Sequence, residues 1–234
     1  MAVEGVRARA RQALTADIKA EATRQLAADG AAALSLRSVA RSLGLASSAI
    51  YRYFPSRDAL LTALITDAYN DLGATVERAV AEVDPGDLEG RWMAAGRAVR
   101  GWAQAEPHRY ALLYGSPVPG FAAPESTIAP ATRVPLVLAQ ILADGWAAEE
   151  LRPPEATGDL PASLLEVDLA QVVASLGEVP PEVVLRGLMA WSQLFGLVSF
   201  ELFGHFVGSV ADADAFFDAA LRVTGQSLGL RPRP

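Results

Sequence analysis

The chain has 234 residues, about half of them apolar (51%), and no cysteine, so it can bury a real core while disulfides, thiolate zinc sites and cysteine nucleophiles are excluded. Its net charge of −7 is unevenly spread: residues 1–60 carry nine Lys or Arg against five Asp or Glu, whereas residues 61–234 carry eleven against twenty-two. The acidic total therefore does not argue against a nucleic-acid partner at the basic end.

Ala and Leu dominate and strand-like alternation is nearly absent, which predicts an all-α fold. Arg7, Arg9 and Arg11 form a basic leader that fits either a flexible arm reaching phosphates or the minor groove, or a disordered terminus. Residues 12–29 read as the first helix, with Leu14, Ile18, Ala22 and Leu26 on one face and Gly30 just past the end. A short second helix follows, with Ser35 as a cap and Leu36, Val39, Ala40 and Leu43 as its apolar stripe. Gly44 supplies a sharp turn, and Ser47 or Ser48 restarts a helix whose Ile50 can face Ala40. In a helix-turn-helix the second helix enters the major groove. Its outer face here offers Ser47, Ser48, Ala49, Tyr51 and Arg52, side chains suited to phosphates, thymine methyls and guanine edges.

Pro55 breaks this helix, Ser56 caps the next, and residues 57–80 read as a long helix ending at Asp84-Pro85-Gly86. Residues 88–105 form another, and Pro107 opens a short one carrying His108, Tyr110, Leu113 and Tyr114. The stretch 115–130 holds Pro117, Pro119, Pro124, Pro130 and Phe121 and is expected to be ordered or functional. Helix resumes over 131–147, and the acidic, proline-rich residues 152–161 read as an exposed connection. Residues 182–206 are apolar on nearly every side. Val184, Leu188, Trp191, Phe195, Val198 and Leu202 form one stripe, and Val183, Ala190, Leu194 and Leu197 another, so both must be covered. Gly187, Gly196 and Gly204 would permit close approach. A last helix spans 212–228, with Phe216, Phe217, Ala220, Leu221 and Leu228, and Ser209 and Asp212 at its start in capping-box-like spacing.

The run Tyr51-Arg52-Tyr53-Phe54-Pro55-Ser56-Arg57-Asp58-Ala59-Leu60-Leu61 resembles the tetracycline-repressor (TetR) family of bacterial transcription regulators, most strongly over residues 14–65. The segment from Trp102 to Pro117 resembles a C-terminal domain type of that family marked by its Trp, His and Gly. The resemblance implies an N-terminal three-helix helix-turn-helix DNA-binding domain (1–60) joined by a long helix to a C-terminal helical effector-binding and dimerisation domain (61–234). Arg37, Ser47, Ser48, Ala49, Tyr51, Arg52, Tyr53 and Arg57 are then the candidates for contacting double-stranded operator DNA, with Arg57 holding a phosphate. It also implies a C-terminal cavity for an apolar or aromatic effector. Trp92, Trp102, His108, Tyr110, Tyr114, Phe121 and Trp146 are candidates to line it, although each also fits core packing. A four-helix homodimer interface would use Leu188, Trp191, Phe195, Val198, Leu202, Phe217 and Leu221.

Enzyme signatures are missing from the sequence. His108 and His205 belong to no metal-ligand pair, the lone Lys19 follows no glycine-rich loop, and no Gly-x-Ser-x-Gly occurs. No catalytic residue, metal or cofactor is expected. The competing readings are a constitutive DNA-binding protein without ligand and, more distantly, a helical enzyme using scattered carboxylates. The charged N-terminus lacks a signal-like apolar run, and the uncharged stretch 187–200 is too short to span a bilayer, so a cytoplasmic protein without a membrane partner is expected.

Overall fold

A computed structural model of the protein describes residues 2–151, 177 and 179–231. The described residues are helical or irregular, with no strand among them, as the composition predicts. They form two compact units, one of residues 2–69 with 106–128, the other of residues 70–105 with the described residues from 129 to 231.

In the first unit, α1 (Ala2–Asp29) runs ten residues further toward the N-terminus than the apolar pattern indicates, so Arg7, Arg9 and Arg11 lie within a helix and form neither of the expected leaders. Ile18, Ala22 and Leu26 recur every four residues and are buried. A 3₁₀ turn (Ala31–Ala33) leads to α2 (Leu36–Ser42), which buries Leu36, Val39 and Ala40. Ser35 precedes α2 but makes no side-chain capping bond. Gly44 adopts φ 66°, and the amides of Gly44 and Leu45 return to the carbonyls of Arg41 and Ala40, at 3.1 and 2.8 Å. A side chain at that φ would be strained, which is why the turn takes glycine.

The second helix of the expected pair is shorter and tighter than its sequence suggests. Residues 47–49 form turns and Ile50–Arg52 a single 3₁₀ turn, held by Arg52 N–H to Ala49 C=O (3.2 Å) and Tyr53 N–H to Ile50 C=O (2.9 Å). Neither serine caps it. The ten residues between Gly44 and Pro55 thus hold a chain of turns, with the 3₁₀ turn at its centre, in place of a continuous helix. α3 (Arg57–Ala81) then starts with the Ser56 hydroxyl accepting from Ala59 N–H at 3.0 Å.

Ile50 is fully buried among Ala22, Leu26, Leu36, Val39, Ala40, Phe54, Leu60 and Leu61. Each large apolar side chain so enclosed contributes about 1.5–3 kcal/mol. Leu112, Val118 and Phe121 also pack on this cluster. The segment 106–128, with α5 (Pro107–Tyr114), therefore belongs to the first compact unit, whereas a division at residue 60 would put it in the second. A boundary drawn from the chain order alone overlooks such a return.

The second unit contains α3 from Asn70 onward, α4 (Leu88–Ala105), α7 (Arg133–Ala147), α8 (Pro181–Leu202) and α9 (Ala213–Ser227), while a short α6 (Ile128–Ala131) precedes α7. α4 packs against α7, α8 and α9, and α8 packs against α7 and α9. Trp92 donates its indole N–H to the carbonyl of Leu221 at 2.8 Å, and a Cβ on Gly225 would lie 2.9 Å from the same ring, so the glycine lets α9 seat on it. Arg100 forms two 2.7 Å bonds to Glu201 and one to Asp214, with its guanidinium 4.9 Å from the Phe217 ring.

α8 stops four residues earlier than its apolar pattern. Gly204, at φ 78°, sends the chain back, with the His205 amide on the Phe200 carbonyl at 2.8 Å. By length and composition alone α8 passes as a membrane span. Here it packs against α4, α7 and α9 of its own unit and keeps exposed apolar side chains on its remaining side. At α9 the cap is Asp212 alone, whose carboxylate accepts from Ala215 N–H at 3.0 Å, while the Ser209 amide bonds to Phe206 instead. The connection expected at 152–161 lies outside the described residues.

Candidate nucleic-acid interface and effector cavity

The first unit presents a polar face over its closed core. Arg37, Ser47, Ser48, Tyr51 and Arg52 are exposed, and Ala49 and Tyr53 are half-buried. Tyr51 is 44% exposed although it adjoins Ile50, which is completely enclosed, so the 3₁₀ turn anchors one side chain inward and delivers its neighbour outward. Exposed aromatic, hydroxyl and guanidinium groups over a rigid apolar base suit a phosphate backbone and base edges. Arg41 belongs to the same exposed set and was not singled out by the sequence.

Two arginines are drawn into building the face. Arg11 donates to the Arg52 carbonyl at 3.2 Å and sits 5.7 Å from the Tyr53 ring, which ties α1 to the turn. Arg57, the expected phosphate holder, donates from Nε to Leu34 C=O (3.1 Å) and from Nη2 to Ala31 and Ala32 C=O (2.9 and 3.3 Å), and is 3.8 Å from Asp58. Most of its donors thus join the α1–α2 connection to the start of α3.

The second unit carries a partly open apolar cavity of about 90 Å³. Its wall comprises Trp92 from α4, Pro135, Leu138, Ala139, Ile141 and Leu142 from α7, Val184, Gly187, Leu188 and Trp191 from α8, and Leu228. Of the seven aromatics or histidines expected to line an effector site, only Trp92 is among these residues. Trp102 is buried with its indole N–H 3.0 Å from Asp71. Tyr110 and Tyr114 meet at 5.1 Å with their rings tilted by 40°, and Tyr114 meets Tyr69 edge-on at 6.1 Å, all within the first unit. Burial there pushes the Tyr114 hydroxyl well above its ordinary range. Phe121 packs on the helix-turn-helix core, His108 is exposed, and Trp146 is 38% exposed.

The expected dimer residues are redistributed as well. Phe195, Val198, Phe217 and Leu221 are buried within their own unit, Leu188 and Trp191 line the cavity, and Leu202 is half-buried. The apolar side chains left uncovered include Leu188, itself one of the expected dimer residues, with Met189, Phe200, Phe203 and Val207 on or just after α8, and Phe216 and Val223 on α9. Gly196 lies on the same side of α8, where an added Cβ would meet nothing within 4 Å, whereas one on Gly187 would lie 2.7 Å from Leu142. The α8 pattern is apolar all round, so periodicity could not tell which stripe its own domain would cover. The spacing of Met189, Gly196, Phe200 and Phe203 by seven, four and three residues was the available signal.

Comparison with known proteins places these features in a family. Residues 18–64 match the family described as "Bacterial regulatory proteins, tetR family", and residues 92–224 match "Tetracyclin repressor-like, C-terminal domain". An HTH-type transcriptional regulator of Mycobacterium tuberculosis is 40% identical over 222 residues, which are 94% of each chain. Among solved structures, a regulatory protein aligns with TM-score 0.75 and 34% identity over 92% of this chain and 97% of its own. A protein of unknown function from Rhodococcus sp. RHA1 aligns with TM-score 0.70 and 26% identity, covering 92% of this chain and 95% of its own. The chain belongs to the TetR family of bacterial transcriptional regulators.

Proposed function

We propose that the protein is a ligand-responsive repressor that binds a palindromic operator as a homodimer and releases it when a small molecule occupies the cavity of the second unit. The observation that carries this reading is one of chain connectivity. α7, which gives five of the lining residues, and α4, which gives Trp92, flank the segment 106–128, and that segment packs Leu112, Val118 and Phe121 on the core of the DNA-reading unit. Displacing the wall thus acts on both ends of a segment that supports the recognition turn. The reading acts on chromosomal DNA and therefore in the cytoplasm, and it requires no enzymatic step.

The uncovered apolar face of α8 and α9 supports the dimer. A face holding Met189, Phe200, Phe203, Phe216 and Val223 is costly to leave in water, and a second copy related by a two-fold axis presents the same face to it. Two recognition turns then read successive major grooves only when separated by about 35 Å. An effector that favours another separation weakens operator binding, and by reciprocity operator weakens effector binding.

A constitutive reading has one observation in its favour: about 90 Å³ is small beside pockets for drug-sized ligands, which start near 300 Å³. Selection of bound sequences from random duplex DNA tests the regulator reading, and a palindrome is expected. A folded, dimeric sample that enriches no sequence overturns it. Operator affinity that no small molecule alters would leave the constitutive reading in place.

A further inference from the structure

The walls of the cavity specify the chemistry of their occupant. No described residue that lines it is ionisable, and the lining side chains carry only two polar atoms, the indole nitrogens of Trp92 and Trp191. A charged ligand would lose its hydration there with no partner in return. The two indoles differ in one respect. Trp92 is committed to the Leu221 carbonyl at 2.8 Å, whereas Trp191 Nε1 is buried with no hydrogen-bond partner. Buried donors left without partners are rare and call for an explanation. A resident water is a poor one, because a buried water needs two to four polar partners and these side chains offer a single free donor.

Resting on the effector-cavity reading above, we propose that the effector is a small, uncharged, largely apolar molecule with one hydrogen-bond acceptor, a carbonyl or ether oxygen, that accepts from Trp191 Nε1. The volume of about 90 Å³ is small beside drug-sized pockets, so the ligand is compact or displaces a lining side chain on entry. Leu188, which lines the cavity and is 40% exposed, marks the side from which it enters.

Titration calorimetry on the full chain, without DNA, tests this with three probes of one ring size: cyclohexanone, methylenecyclohexane and cyclohexanecarboxylate. Trp191→Phe enlarges the cavity alike for the two neutral probes, so the difference between them isolates the N–H. The ketone is expected to lose roughly fivefold to tenfold in affinity, the range of a neutral hydrogen bond, while the hydrocarbon changes less than about twofold. The carboxylate should not bind, and Ala139→Leu, which fills the cavity, should weaken both neutral probes. Equal losses for ketone and hydrocarbon in Trp191→Phe, carboxylate binding as tight as the ketone's, unchanged binding in Ala139→Leu, or no binding of any probe would each overturn the inference. If Ala139→Leu fails to fold, Trp191→Phe decides alone. None of these outcomes touches the regulator reading, which stands or falls on the operator selection.

Discussion

The two units solve opposite problems with the same secondary structure. In the first, the core is closed and the chemistry lies outside: Ile50 is wholly enclosed while Tyr51 beside it is 44% exposed. In the second, a partly open apolar cavity lies between the helices, and the exterior retains an apolar face on α8 and α9. Under the proposed function, a reading head must hold its shape when it meets a rigid polyanion, whereas a sensing domain needs space and an unfinished surface for a partner. The recognition turn is therefore backed by an enclosed apolar cluster, while the second unit keeps an apolar cavity and an apolar face.

The largest effect that would test this contrast is loss of the core that positions the head. Ile50→Ala should destabilise the first unit by about 2–5 kcal/mol in denaturant unfolding, because the cavity it leaves faces Val39, Ala40 and Leu61 and cannot fill. Val207→Ala, at a residue 85% exposed, should shift stability by less than about 0.5 kcal/mol. Similar losses for both would mean that the head is not the rigid part.

Next comes the uncovered face. Phe200→Asp combined with Val223→Asp should convert dimer to monomer in sedimentation velocity while leaving helix content and the melting of the isolated subunit nearly unchanged, since both side chains are exposed in it, at 53% and 61%. Phe217→Asp, at a buried position, should unfold the second unit instead. A double variant that remains dimeric would move the interface elsewhere.

Within the reading face, Tyr51→Ala should weaken operator binding about tenfold with little change in stability, and Arg52→Ala should lower the salt slope of binding by about one. Arg57→Ala should instead cost about 1–3 kcal/mol of stability, as expected when a charged donor leaves buried carbonyls at Ala31 and Leu34. If Arg57→Ala weakens binding with unchanged stability, its role is direct phosphate contact.

These variants also show how far the sequence could be read. The head was legible because its signals are local. Gly44 lies between the apolar stripe of α2 and Ile50, Pro55 ends the turn, and Ser56 caps α3, so a few residues determine the path. What stayed hidden is the return of 106–128 to that core, a contact between residues far apart in the chain that no periodicity encodes. The second unit was legible as helices but not as surfaces. An all-round apolar helix names neither its buried side nor its cavity side, so Trp191 looked like interface and Met189 like nothing in particular. Aromatic content does not mark the cavity either, because Trp102, Tyr110 and Phe121 are held by partners elsewhere in their own units and the cavity wall is mostly aliphatic.

The smallest expected effect lies at the seam between α1 and α2. Arg24 donates to Glu21 at 2.6 and 2.8 Å, and Gln25 bonds both Glu21 (2.8 Å) and the Ser42 hydroxyl (3.4 Å), so one carboxylate organises the link between the helices. The hydrogen bond from Arg24, followed by that from Gln25, holds the Glu21 carboxyl down at about 2, against an ordinary 4.5. A depressed acid stabilises the fold fully above its unfolded pKa, and that stabilisation is lost as pH falls from about 4.5 toward 2. Arg24 is 64% exposed at its side chain, so solvent screens the pair and the contribution is small. Glu21→Gln should therefore lower the melting temperature slightly near neutral pH, with the gap to wild type narrowing as pH drops below about 4.5. A gap that stays constant down to pH 3 would show that the carboxylate contributes packing alone, and that the head owes its rigidity to its apolar core without help from this seam.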